Sequence, residues 1–181
     1  MVKERNEVTL LDEGYRKQKI REWYMEYSDP IFRYIVLMIG DREQAKDLTH
    51  DTFLKAFHRL EGFQGEMSDK NWLYWIARNT TIDFIRKKKP LHYVAEMFTG
   101  VNGVTPEDLV EAGEEERLVY RAMSRLKRSY REVLLLRKIK GLSIRETADV
   151  LGWKESKVKT TLSRALQAMK VQLEKEGYHR E

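Results

Sequence analysis

The chain has 181 residues, 35% of them charged and 41% hydrophobic, with a net charge of +5. That length suits one large or two small domains, and so charged a chain builds small helical cores more readily than one thick one. It has no cysteine, which excludes disulfides, thiolate nucleophiles and cysteine-based zinc sites and fits a reducing cytoplasm.

The charge is unevenly spread. Residues 1–89 carry a net +2, residues 90–116 a net −7 with no lysine or arginine, and residues 117–181 a net +10. A basic C-terminal block is what a phosphate-contacting module requires, although lysine and arginine also serve as helix formers on a solvated surface. The charged start of the chain does not read as a signal peptide, and no stretch approaches the roughly 20 apolar residues of a membrane helix.

In chain order, Ser28-Asp29-Pro30 predicts a helix start, with a cap followed by a proline that has no N–H to leave unpaired. Ile31, Tyr34, Ile35 and Met38 recur at helical spacing, and Gly40 stops the helix. Asp41 with Gln44 opens a second helix. Ala45, Leu48, Thr52, Ala56 and Leu60 form a stripe along it, widened by Phe53 and Phe57. Residues 61–69 read as a loop. A third helix is predicted over residues 68–88, with Leu73, Ile76, Ala77, Thr80 and Phe84 on one side, ended by Pro90. Strand-like alternation is absent. The acidic segment 90–116 holds two of the three prolines and three of the ten glycines, the signature of a linker.

Two capping boxes follow, Ser129 with Glu132 and Ser143 with Glu146, each pairing a hydroxyl with a glutamate three residues on. The second opens a short helix over residues 144–151. Ala148 is small enough for a close helix crossing, Gly152 can take the positive φ of a tight turn, and Val158 packs back, with Leu151 and Leu162 completing a small core. This is a helix-turn-helix, whose second helix enters the major groove. Its outward face carries Lys154, Lys157, Lys159, Thr160, Ser163 and Arg164, side chains suited to phosphates and base edges. The expected fold is all-α: two small helical domains joined by a flexible acidic linker, the second holding the helix-turn-helix. On these grounds alone the chain could be a transcriptional regulator with an N-terminal sensing or dimerisation domain.

The N-terminal block points elsewhere. Asp41-Arg42-Glu43-Gln44-Ala45-Lys46-Asp47-Leu48-Thr49-His50-Asp51-Thr52-Phe53, then Trp72-Leu73-Tyr74-Trp75-Ile76-Ala77-Arg78-Asn79 and Ile82-Asp83-Phe84-Ile85-Arg86-Lys87-Lys88, resemble the extracytoplasmic-function RNA polymerase sigma factors. The stretch from Leu126 through Arg131-Glu132-Val133-Leu134-Leu135-Leu136 and Gly141-Leu142-Ser143 to Arg164-Ala165 continues the resemblance. These are minimal sigma factors with regions two and four only. The resemblance implies a region-two domain at 1–89, a linker at 90–116 and a region-four domain at 117–181. It implies core RNA polymerase and promoter DNA, duplex and melted, as partners, together with an anti-sigma factor. It implies a cytoplasmic specificity subunit that directs initiation under envelope or environmental stress.

It also implies residue roles. Asp47, Leu48, Asp51 and Phe53 would face the polymerase. Phe63, Tyr74, Trp75, Arg78, Asn79, Arg86, Lys87 and Lys88 would read and melt the minus-ten element, the aromatic faces and amides capturing unstacked bases and the cations holding phosphates. Asn79 matches the position that helps form a pocket for a flipped base. Trp72 and Phe84 suit the core better. Lys159, Thr160, Ser163 and Arg164 match positions that read the minus-thirty-five element. Trp75, Ser156, Thr161, Leu166 and Lys127 depart from residues common in relatives. An enzyme is not expected. The four histidines form no metal-ligand spacing, and there is no phosphate-binding glycine loop or nucleophile elbow, so no catalytic residue, metal, cofactor or small-molecule substrate is assigned.

Overall fold

A computed structural model describes the backbone of residues 2–99 and 114–178, and side-chain surroundings for 13–87 and 117–178. All regular structure among the described residues is helical. The first module comprises α1 (Val2–Ile39), α2 (Arg42–Arg59), a single 3₁₀ turn (Leu60–Gly62) and α3 (Asp69–Thr99). The second comprises α4 (Glu114–Ser124), α5 (Arg128–Leu134) running into a π-helical turn (Leu135–Ile139), α6 (Ile144–Leu151) and α7 (Glu155–Lys175).

Both predicted proline boundaries fail. Pro30 lies inside α1, and α3 continues beyond Pro90 to Thr99. A proline removes one helical hydrogen bond and crowds the carbonyl four residues back. Around Pro30 packing overrides that cost. Ile20, Trp23, Tyr27, Ile31, Tyr34, Ile35 and Met38 keep helical spacing across it, and all belong to the core or pack against it. Trp23 is 3% exposed, and its indole N–H donates to Asp69 Oδ2 at 3.0 Å, tying α1 to the start of α3. The α2 start is as expected: Asp41 Oδ1 accepts from the Gln44 N–H at 2.9 Å.

The first predicted capping box does not form. Lys127 occupies the cap position of α5 with no side-chain bond, and Glu132 turns inward to 1% exposure. The second forms in full. Ser143 Oγ accepts from the Glu146 N–H at 3.1 Å, and Glu146 Oε2 accepts from the Ser143 N–H at 2.7 Å.

The modules do not stand apart. α3 packs on α6, and α1 packs on α4 and α5. A single contiguous apolar cluster runs from Trp23 in α1 to Ala165 in α7.

Candidate nucleic-acid interface

The helix-turn-helix is built as its sequence requires. Gly152 closes α6 at φ 65°, ψ 35°, a left-handed conformation that costs a residue with a side chain extra energy. Trp153 N–H then donates back to the Ala148 carbonyl at 2.9 Å. Val158 is fully buried, Ala148 and Leu151 nearly so, and α6 packs on α7. Lys154, Lys157, Lys159, Thr160, Ser163 and Arg164 are all exposed. Lys157 lies over the Trp153 ring at 4.0 Å, which keeps the cation close to the turn. The Thr160 hydroxyl donates to the Ser156 carbonyl at 3.0 Å. The end of α7 is tied to α4, where Glu176 meets Arg121 at 3.0 Å and Arg125 at 2.6 Å.

In the first module Phe63 stacks on Trp72, with ring centroids 4.4 Å apart, and both sit edge-on to Trp23. Trp72 is 7% exposed, a core residue, whereas Phe63 and Trp75 are half-buried. His58, Arg59, Glu61, Phe63, Trp72 and Trp75 help line an open cleft of about 420 Å³. The Arg59 guanidinium lies 5.8 Å from the Trp75 ring. Aromatic faces beside a cation make a surface on which an unstacked base can sit.

Some residues expected at interfaces are not available there. Tyr74 is 1% exposed with its ring edge against Tyr34, because α3 is covered by α1, α2 and α6. Burial pushes its phenol well above the ordinary value, and it is a core residue rather than a platform for bases. Leu48 and Phe53 are 6% and 4% exposed, facing the core of the module. Asp47 and Asp51 are exposed on α2, and three residues beyond Asp51 is Leu54, 57% exposed, which sequence reading missed. Its position on the face of the two carboxylates was the available signal.

Arg78 and Asn79 are half-buried. Arg78 Nε donates to Glu132 Oε1 at 2.9 Å, and its Nη1 donates to Asn79 Oδ1 at 3.3 Å. Arg86 pairs with Asp83 at 3.0 Å, Lys87 is exposed, and the side chain of Lys88 lies outside the described residues. No helix among the described residues is long and apolar enough to cross a membrane.

An aromatic, cation-bearing helical module is followed by a basic helix-turn-helix, and each matches a family model. Residues 23–90 match the model of Sigma-70 region 2, and residues 116–169 match that of Sigma-70, region 4. RNA polymerase sigma factor YlaC of Bacillus subtilis is 33% identical, over 88% of this chain and 94% of that protein. ECF RNA polymerase sigma factor SigW of the same organism is 32% identical, over 81% and 84%. The fold is that of the sigma factor RpoE from Bartonella quintana, solved in complex with the anti-sigma factor NepR. Its TM-score is 0.71 at 21% identity, covering 87% of this chain and 98% of that one. The chain belongs to the extracytoplasmic-function RNA polymerase sigma factors. It is an alternative sigma factor, which associates with RNA polymerase and directs promoter-specific transcription initiation.

Proposed function

We propose a division of labour between the modules. Residues 1–89 dock on core polymerase through Asp47, Asp51 and the exposed Leu54, and capture the displaced strand of the minus-ten element. Phe63 and Trp75 offer stacking faces, Arg78 and Asn79 engage a base and its phosphate, and Arg86, Lys87 and Lys88 hold the backbone further along α3. Residues 90–116 tether the modules and, being acidic, stay off the DNA. Residues 117–181 anchor the minus-thirty-five duplex through Lys154, Lys157, Lys159, Thr160, Ser163 and Arg164. The protein acts in the cytoplasm as a specificity subunit rather than a catalyst. It responds to envelope or environmental stress and is held in check by an anti-sigma factor, as the solved relatives with NepR and CnrY are bound by theirs.

The observation that carries this reading is the pairing of an exposed basic recognition helix with an aromatic cleft beside Arg59 on a separate module. The test is promoter melting by holoenzyme reconstituted with Trp75→Ala. Loss of one base–aromatic stack costs about 1–3 kcal/mol. Strand opening, followed by permanganate reactivity, is expected to fall roughly fivefold or more while duplex binding through the second module persists. Unchanged opening would remove the cleft from the melting machinery.

A further inference from the structure

Two charged side chains of α1 that precede the matched region 23–90 reach the loop beside the aromatic cleft. Arg16, Lys19 and Trp23 are spaced by three and four residues, so they share one helix face. Arg16 Nη1 meets Glu61 Oε1 at 2.6 Å, with side chains 17% and 60% exposed, and its guanidinium lies 5.2 Å from the centre of the Phe57 ring. Lys19 Nζ meets Asp69 Oδ2 at 3.0 Å, the same oxygen that accepts from the Trp23 indole N–H. That carboxylate holds the Lys19 ammonium above its ordinary value.

Glu61 sits in the 3₁₀ turn where the chain leaves α2, and Asp69 is the first residue of α3. One face of α1 therefore grips both ends of the segment between them. Residues 63–68 form no helix, and the turn before them is closed by the Phe63 N–H on the Leu60 carbonyl at 3.1 Å. A segment with so little regular structure takes its position from its anchors. It carries Phe63, which lines the cleft, stacks on Trp72 and sits edge-on to Trp23.

We propose that Arg16 and Lys19 are positioning residues for strand capture. They form a brace, ahead of the region-two module, that fixes the loop carrying Phe63 and so the shape of the cleft. This inference rests on the role given to Phe63 and the cleft above. Partly exposed ion pairs add little to the stability of a whole fold. Their effect is concentrated on a short segment that has few contacts of its own, where it decides between one loop conformation and many.

The test uses the full chain and its holoenzyme. Arg16→Glu sets like charges face to face. Amide exchange over residues 60–72 of the free chain is expected to rise roughly fivefold, and strand opening by holoenzyme to fall by a similar factor. Glu61→Arg should do the same, although it brings a cation to the cleft. Combining Arg16→Glu with Glu61→Arg rebuilds the pair in reverse and should return both readings to within about twofold of the wild type. Lys19→Gln, at the other end of the loop, is the second variant and should act in the same direction. Helicity by circular dichroism is the folding control throughout.

If Arg16→Glu and Lys19→Gln keep full helicity and unchanged exchange, the brace is overturned. A gain in opening with Glu61→Arg overturns it too, because Arg16 then serves only to offset a carboxylate beside DNA. A loss that the double reversal leaves uncorrected does the same. If exchange rises and the reversal restores it while opening never changes, the brace stands and the strand-capturing role of the cleft fails.

Discussion

Glu146 offers the sharpest quantitative test of how the helix-turn-helix is seated. It accepts from the Ser143 N–H at 2.7 Å, completing the capping box, and from Asn71 Nδ2 at 3.0 Å, reaching the other module. Ser143→Ala removes one cap bond and should cost about 1 kcal/mol. Glu146→Ala removes the reciprocal bond, a carboxylate at a helix N-terminus worth about 0.3–1 kcal/mol, and the partner of a nearly buried amide. Its total should therefore reach about 2–3 kcal/mol. Urea unfolding of the full chain measures both, and a double-mutant cycle with Asn71→Ala isolates the contact between modules at about 1 kcal/mol. Acid adds a second signature. The Ser143 backbone N–H above all, then the Asn71 amide, holds the Glu146 carboxyl below its usual range. Its contribution is therefore full above the ordinary carboxylate pKa and is lost as pH falls through the lowered one. Glu146→Gln should flatten that part of the profile. If Glu146→Ala costs no more than Ser143→Ala and the cycle closes at zero, the tie to Asn71 contributes nothing and the energetic account of module packing is wrong.

Two other outcomes follow from single positions. Gly152→Ala meets no atom within 4 Å of the new Cβ, so its cost is backbone strain alone, about 1–2 kcal/mol; thermal unfolding should register it, while duplex affinity well below the transition stays within about threefold. Lys140 faces Lys70 of α3 and Arg33 of α1 and is pushed down to about 8 by burial first and those charges second. The unfolded chain then binds more protons than the folded one between about 8 and 10.5, so stability rises with pH in that window. Lys140→Met should flatten the rise in melting temperature measured from pH 7.5 to 9.5, below the range where the buried tyrosines titrate.

What could be read from the sequence was what is decided locally. The capping box at Ser143, the left-handed turn at Gly152 and the return of Val158 lie within sixteen residues, and each has a mechanism that neighbours cannot easily override. The proline boundaries failed for the converse reason. Residues read as breakers were weighed alone, although the stripe from Ile20 to Met38 runs through Pro30 without a change of phase. Leu48 shows a subtler miss. It belonged to the apolar stripe with Ala45 and Thr52, yet it was also assigned outward to the polymerase. One face cannot do both, and Leu54, on the face of Asp51, is exposed where Leu48 is not. Ser129 and Glu132 fit the capping-box pattern, but the glutamate has a better partner in Arg78, which no local pattern reveals.

That contact changes what two linked modules imply. A tether lets each module raise the effective concentration of the other on a promoter, but only if both DNA faces can engage at once. With α6 packed on α3 and Arg78 paired to Glu132, Arg78 and Asn79 are engaged within the protein, while the aromatic cleft and the recognition helix are exposed. A chain with Arg78 engaged internally has less to offer the displaced strand than the duplex, and the phosphate share of its duplex contacts is what salt removes most readily. Promoter binding should then depend on holoenzyme assembly more steeply than either module's own contacts would suggest, because simultaneous engagement of two linked modules multiplies their contributions rather than adding them.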